Sequence, residues 1–329
     1  MATKLRVATV QEHFCSPLWQ LAESDWGRAN IELVFNNSGS GQMISNLSND
    51  GDGRKIDAAV ALTEALIAGI AKGRRDYKLV GSYVRSSLNW AVITGTDPKA
   101  TKYQNIDDLK GETIGISRIG SGSQTMAYYM AMQQGWGADI KFKVNDTFEN
   151  LRKGVNQEPG LETAAFMWEW VTTLPYVHSG QVRYIGNVPT PWPSWSIAAS
   201  TSILVPGSED QQLLDTFLSK LQESIATFLH PDSISQQKPQ QFVQQRFEYK
   251  PEDVETWFNS VRYVRDPRPD SKNDTAVALV PTGQQTCTET VSRETITTTL
   301  SILAKAGAIQ TPHGGFDLAD FAREQSLVD

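Results

Sequence analysis

The sequence predicts a two-lobed α/β fold, each lobe a mostly parallel sheet flanked by helices, with two chain crossings between the lobes. Three observations predict it. Strand-like apolar runs alternate with stretches of helical spacing, as in a wound parallel sheet. At 329 residues the chain exceeds what one core comfortably fills. Two serine- and glycine-rich loops, 36–41 and 117–124, each stand between a strand and a helix.

Taken in order, residues 5–10 alternate and are β-rich, 17–24 have helical spacing, 31–35 form a strand and 42–47 a helix. Residues 55–62 read as a buried strand and 63–72 as a helix, followed by strands at 77–84 and 89–94. The turn-rich 94–98 marks the first crossing. A second series begins at 106–111 and runs through a strand at 112–116, the second loop, and a helix at 125–134. It continues with a strand at 142–144, a helix near 150–155, and strands at 163–167 and 182–185. The proline- and tryptophan-rich 189–195 precedes a return at 196–200. Helices are expected at 210–229, 235–247, 251–261 and 292–306, with a charged, proline-rich linker at 266–272. Lobe 1 is therefore expected to comprise residues 1–95 and 200–329, and lobe 2 residues 96–199.

Composition narrows the function. Apolar residues make up 40% of the chain, enough for a folded core, and the net charge is -7 with no basic block, which argues against a nucleic-acid surface. The longest apolar stretch, 58–70, is broken by Thr63 and Glu64, so no membrane insertion is expected. The first residues enter a strand pattern without an apolar signal region, and a cytoplasmic location is expected. Cys15 and Cys287 are the only cysteines and give no disulfide framework. His13, His178, His230 and His313 show no metal-ligand spacing. Neither a metal nor a cofactor is expected.

The two loops read as anion cradles. Small residues let backbone N–H groups approach a ligand, and the following helix adds its positive end. Ser121, Gly122 and Ser123 would present donors to an acidic group, flanked by Ser117 and Arg118; Ser40 and Gly41 are the candidates in the other loop. Either loop alone is equally a tight turn with a helix cap, and Arg118 is equally a surface partner of an acid.

Further candidates lie at strand ends. Thr63 and Glu64 follow an apolar strand, although a carboxylate in a first helical turn is favoured by the helix dipole alone. Glu169, between Trp168 and Trp170, is suited to an amine or amidine on which an indole can stack, provided the strand persists. Arg85 lies between two strands. Trp192 and Trp195 would wall a pocket or stiffen the return crossing with Pro191 and Pro193. His13 and Phe14 follow the first strand, where a His13–Cys15 nucleophile pair lacks an orienting third group.

Four segments together carry a resemblance: 55–57 with 61–64 (Ala-Leu-Thr-Glu), 117–123 (Ser-Arg-Ile-Gly-Ser-Gly-Ser), 166–169 (Phe-Met-Trp-Glu) and 190–195 (Thr-Pro-Trp-Pro-Ser-Trp). Over residues 4 to about 265 the chain resembles a fungal-type, cytosolic subgroup of the type II periplasmic-binding-protein fold. Wider relatives are the binding proteins for nitrate, taurine and alkanesulfonates and the thiamine-pyrimidine synthases. The cysteine-rich iron-binding motif of those synthases has no counterpart here. The resemblance implies a two-lobed protein that closes by hinge motion over a small anionic or zwitterionic metabolite: a sulfonate, phosphonate, carboxylate or aminopyrimidine-like compound. Two other readings stay open: an enzyme of cofactor or heteroaromatic metabolism with Glu64, Glu169 or His13 as acid–base groups, and a protein-interaction module with a vestigial pocket.

Overall fold

Ten strands build two five-stranded sheets in a computed structural model that describes residues 4–36, 39–48, 56–137, 140–269 and 286–329. In chain order the strands are β1 (Leu5–Thr9), β2 (Ile31–Phe35), β3 (Ala58–Leu62), β4 (Tyr77–Val84), β5 (Asn89–Gly95), β6 (Thr113–Ile116), β7 (Lys141–Val144), β8 (Ala165–Glu169), β9 (Val182–Pro189) and β10 (Trp195–Ser200). The helices that flank them are α1 (Ser16–Glu23), α2 (Asp25–Asn30), α3 (Ser40–Asn46), α4 (Thr63–Ala71), α5 (Gly122–Gln133), α6 (Phe148–Val155), α7 (Trp170–His178) and α8 (Glu209–Phe228). Four more, α9 (Pro231–Ser235), α10 (Lys238–Arg246), α11 (Pro251–Ser260) and α12 (Arg293–Lys305), follow toward the C-terminus.

Lobe 1 orders its sheet β2-β1-β3-β10-β4. β1 runs parallel to β2 and β3, and β10 runs antiparallel to both β3 and β4. All five residues of β3 are buried, as an uninterrupted apolar run covered on both faces requires. On α8, Leu214, Phe217, Leu218, Leu221, Ile225 and Phe228 recur at helical spacing and are all buried. The Ser208 hydroxyl caps this helix by accepting from the Gln211 N–H, with Glu209 and Asp210 favourably placed in its first turn.

Lobe 2 orders its sheet β7-β6-β8-β5-β9. β6 is parallel to β7 and β8, and β5 is antiparallel to β8 and β9. Each sheet thus carries a single reversed strand in its fourth place, though the sequence shows no internal repeat. Its core gathers Ala91 and Ile93 of β5, Leu151 and Val155 of α6, Phe166 of β8 and Val182 of β9. Gly95 sits where a Cβ would lie 2.1 Å from the Val155 carbonyl oxygen, so only glycine fits there.

Contacts divide the chain into Met1–Ser87, Pro191–Leu300 and Thr311–Asp329 for lobe 1, and Leu88–Thr190 and Ser301–Gln310 for lobe 2. The sequence placed the breaks at 95/96 and 199/200. The difference follows from pairing: among the described residues β5 pairs with β8 and β9, and β10 with β3 and β4. Three helices were not read from the sequence: α2, α7 and the five-residue α9, which follows the His230-Pro231 stop. α2 has only six residues, and α7 contains Pro175, which reads as a breaker. The helix expected at 235–247 is the shorter α10, which starts after Gln237 adopts a left-handed φ of 55°. Lys55, Ser38 and the end of the 266–272 linker lie outside the described residues.

Candidate ligand-binding site

In lobe 1 the C-terminal end of β3 collects polar groups. The Leu62 N–H donates to Ser40 Oγ at 3.0 Å, which ties the start of α3 to this strand end, and Gly41 follows, partly exposed. The Thr63 N–H donates to the Ser194 carbonyl at 3.1 Å, and Thr63 Oγ1 shares a 2.8 Å hydrogen bond with Ser196 Oγ. One residue on, Glu64 is fully buried, and its Oε2 accepts from the Trp192 indole N–H at 2.9 Å. Glu64 Oε1 is buried too and has no hydrogen-bond partner among the described residues. Burial pushes the Glu64 carboxyl up to about 7, against the opposing pull of its own backbone N–H and of Trp192.

Two further buried polar atoms of this lobe, Ser194 Oγ and Trp195 Nε1, also lack a partner among the described residues. Trp195 pairs with Leu62 across the sheet, and its ring lies 5.7 Å from that of Phe14. Phe14 in turn lies 4.3 Å from His13, which meets Trp257 edge-on at 5.1 Å and places Nδ1 3.3 Å from the Tyr249 hydroxyl. Burial lowers the His13 imidazole to about 3 and raises the Cys15 thiol to about 12. Both are uncharged at neutral pH, the opposite of an activated thiolate–imidazolium pair. Arg85 is half-buried beyond β4, where its backbone N–H donates to the Arg262 carbonyl.

In lobe 2 the β6–α5 junction forms a loop closed by its own side chains. Ser121 caps α5 by accepting from the Gln124 N–H, and its hydroxyl lies 2.9 Å from that of Ser123. Gln124 Oε1 reaches back to accept from the Gly120 N–H at 2.7 Å. The sequence began this helix at 125; it starts at Gly122, so Gly122, Ser123 and Gln124 form its first turn. First-turn N–H groups have no acceptor inside a helix, and Gly122 and Ser123 belong to that turn. Ser117, Ser121 and Ser123 are buried, and Arg118 is partly buried, its guanidinium pKa lowered by burial and raised by Asp146.

Glu169 has a different environment from the one expected. β8 ends at Glu169 and Trp170 opens α7, so the strand alternation that would present a carboxylate between two indoles stops there. Glu169 is the N-cap of α7. Its Oε1 accepts from the Val171 N–H at 3.1 Å, and its Oε2 from the Thr172 N–H at 2.7 Å and the Thr172 hydroxyl at 2.8 Å. Burial nevertheless raises this carboxyl to about 7, outweighing those donors. Trp168 packs against Phe148 at 4.9 Å, and Trp170 against Tyr184 at 6.3 Å.

Within lobe 1 the structure links Ser40, Thr63, Glu64 and Trp192 into one neighbourhood and joins Phe14 to Trp195 and His13. In lobe 2 it links Ser121 and Ser123. Ser194, Ser196 and Gln124 were missed by sequence reasoning; Gln124 had a signal, a glutamine three residues after a capping serine. An open pocket of about 490 Å³ elsewhere in lobe 2 holds none of the expected residues. Its cations are engaged: Lys153 bridges Glu149 at 2.7 Å, and the Arg152 guanidinium lies 4.0 Å above Tyr176.

The family model for Ca3427-like PBP matches residues 90–188, all within lobe 2. The CA3427 gene product of Candida albicans, described as defining a family with the generic periplasmic binding protein fold, is 28% identical, with 99% of this chain and 98% of that one covered at a TM-score of 0.79. The periplasmic aliphatic sulphonate binding protein SsuA of Escherichia coli is 14% identical, with 100% and 94% covered and a TM-score of 0.59. The alkanesulfonate-binding protein SsuA of Xanthomonas axonopodis pv. citri, bound to MOPS, is 17% identical, with 79% and 86% covered and a TM-score of 0.57. A search of curated proteins gives no match.

Proposed function

We propose that this chain, which has the periplasmic-binding-protein fold, binds a small anionic or zwitterionic metabolite whose acid is a sulfonate, phosphonate or carboxylate. The observation that carries this reading is the start of α5. Two buried hydroxyls and the positive end of a 12-residue helix meet at a short loop, with Arg118 three residues before Ser121. The sulfonate-binding neighbours, similar in fold alone, agree with an acidic ligand. The protein would do this work in the cytoplasm.

Native mass spectrometry of the purified protein, followed by a thermal-shift screen of sulfonates, phosphonates, carboxylates and aminopyrimidines, tests the proposal. A compound that stabilises the wild type and does so much less for Ser121→Ala supports it. Stabilisation by no acid in the screen, or equal stabilisation of both proteins, sinks it.

One observation favours a second reading, an enzyme. A buried carboxyl titrating near 7, as Glu64 does, is matched to proton transfer at neutral pH. Turnover of a bound compound, lost in Glu64→Gln while affinity persists, would establish that reading; recovery of the compound unchanged would remove it.

A further inference from the structure

We propose that lobe 2 carries a second binding site, separate from the loop before α5, in which Arg152 takes the carboxylate and Glu158 the ammonium group of a small amino acid. The site is the open cavity of about 490 Å³ whose lining residues all fall within Leu88–Thr190. Sheet pairing fixes its place. β6 and β8 run parallel and β5 runs against β8, so Thr96, just past the end of β5, stands at the N-terminal end of β6 and β8. Ser117 and the loop before α5 follow the C-terminal end of β6, so the two sites lie at opposite ends of one sheet. A single side chain sets the walls of the cavity. Asn156 Oδ1 accepts from the N–H groups of Thr96 and Asp97 at 2.9 and 3.2 Å, and its Nδ2 donates to the carbonyls of Arg152 and Gln181 at 2.9 and 2.8 Å. These bonds exhaust the amide and tie together the end of α6, the turn after β5 and the start of β9.

Arg152 is engaged by its face and by one nitrogen only. The guanidinium lies 4.0 Å above the Tyr176 ring, and Nη1 donates to Gln181 Oε1, which together orient it. Nε is buried and has no hydrogen-bond partner among the described residues, and Nη2, on the same edge, has none there either. That edge is the fork which the two oxygens of a carboxylate match. Glu158 is exposed and makes no ion pair among the described residues. The other two charges of the lining, Lys153 and Glu149, bridge each other at 2.7 Å. Two cations and two acids thus leave the lining without net charge. A simple anion meets repulsion from the acids as well as attraction, and a simple cation the converse, whereas a ligand carrying both charges complements both. Every lining residue is polar, which disfavours an apolar ligand. The dipole of α6 accounts for Arg152 and Lys153 in its last turn. It does not account for an arginine nitrogen buried without an acceptor, and it opposes an acid placed just past the negative end of the helix.

The test titrates the full chain by calorimetry with glycine, β-alanine and 4-aminobutyrate, whose charges stand progressively further apart. Their matching halves are titrated beside them: acetate, propionate and butyrate for the acid, and methylamine, ethylamine and propylamine for the amine. At least one amino acid should bind the wild type about tenfold or more tightly than either of its halves. Arg152→Gln and Glu158→Gln should each abolish that advantage. Ser121→Ala should keep it, because the first turn of α5 lies at the other end of the sheet. Arg152 also packs on Tyr176, so should Arg152→Gln fail to fold by circular dichroism, the exposed Glu158→Gln decides alone. Binding of no amino acid, or halves that bind as tightly as the whole, would overturn the second site. An advantage kept in Glu158→Gln would overturn it too, and its loss in Ser121→Ala would then assign the amino acid to the loop before α5.

Discussion

The turn from β3 into α4 in lobe 1 and the turn from β8 into α7 in lobe 2 occupy the same place in their sheets. Each leaves the third strand of the order and enters a helix. Each carries a buried glutamate whose carboxyl burial has raised to about 7. Glu169, at the N-cap, closes on its own helix; Glu64, the second residue of its helix, is held by a tryptophan more than a hundred residues away in sequence. The shared pKa therefore reports burial, while the hydrogen-bond partners report role. A perturbed carboxyl marks a candidate site only when its partners leave it something to do.

The largest effect that separates the two turns is expected at the tryptophans. Trp192 is fully buried and is the donor that holds Glu64, so Trp192→Ala both opens a cavity and strips a buried carboxyl of its partner. A loss of about 3–5 kcal/mol in urea unfolding is expected. Trp168 is only partly buried against Phe148, and Trp168→Ala should cost less than half as much. Equal losses would mean that Trp192 contributes packing alone.

The glutamates should respond to pH in the same direction and to mutation in opposite ones. A carboxyl raised from 4.5 to about 7 in the folded protein holds a proton there that the unfolded chain has released. Stability from this source is full below about 4.5, falls as pH rises toward 7, and is level above it, with a slope of at most about 1.4 kcal/mol per pH unit for each group. Unfolding midpoints between pH 5 and 8 should therefore fall in the wild type and fall about half as steeply in Glu64→Gln, where Glu169 still titrates. At pH 8 Glu64→Gln should be neutral or more stable than the wild type, because it removes a buried charge. Glu169→Ala should be less stable by about 1–2 kcal/mol, the cost of a lost helix cap. A wild-type midpoint that rises over this interval would show that neither carboxyl is raised.

Much of this architecture was open to sequence reasoning because it rests on local periodicity. β2 and β4 run at the expected residues, and β3 and β10 within a few; β3 reads as an unbroken apolar run and the others as β-rich segments between turns. The strand-end rule also singled out Thr63 and Glu64, and the proline- and tryptophan-rich segment singled out Trp192, each separately. What it could not supply was their pairing: nothing in the local sequence says that Trp192 reaches Glu64, or that Glu169 turns back on Val171 and Thr172. α7 was missed because Pro175 lies inside it and reads as a breaker. The lobe boundary was displaced because β5 is as apolar as the strands of lobe 1, and only its partners assign it.

The smallest effects concern the two serines that open helices at equivalent loops. Ser40 Oγ accepts from the Leu62 N–H across a gap in sequence, whereas Ser121 Oγ accepts from the Gln124 N–H of its own helix. Either serine→alanine change removes one hydrogen bond to a backbone donor and should cost about 1 kcal/mol of stability. The consequences for the neighbouring glutamate differ. Ser40→Ala frees the N–H of the residue two before Glu64 and loosens the end of β3, so the pH dependence attributed to Glu64 should weaken. Ser121→Ala acts on a helix that contains neither glutamate and should leave the pH dependence as in the wild type. Identical pH profiles for the two variants would show that the β3 end is held by its strand pairing with β10 rather than by Ser40.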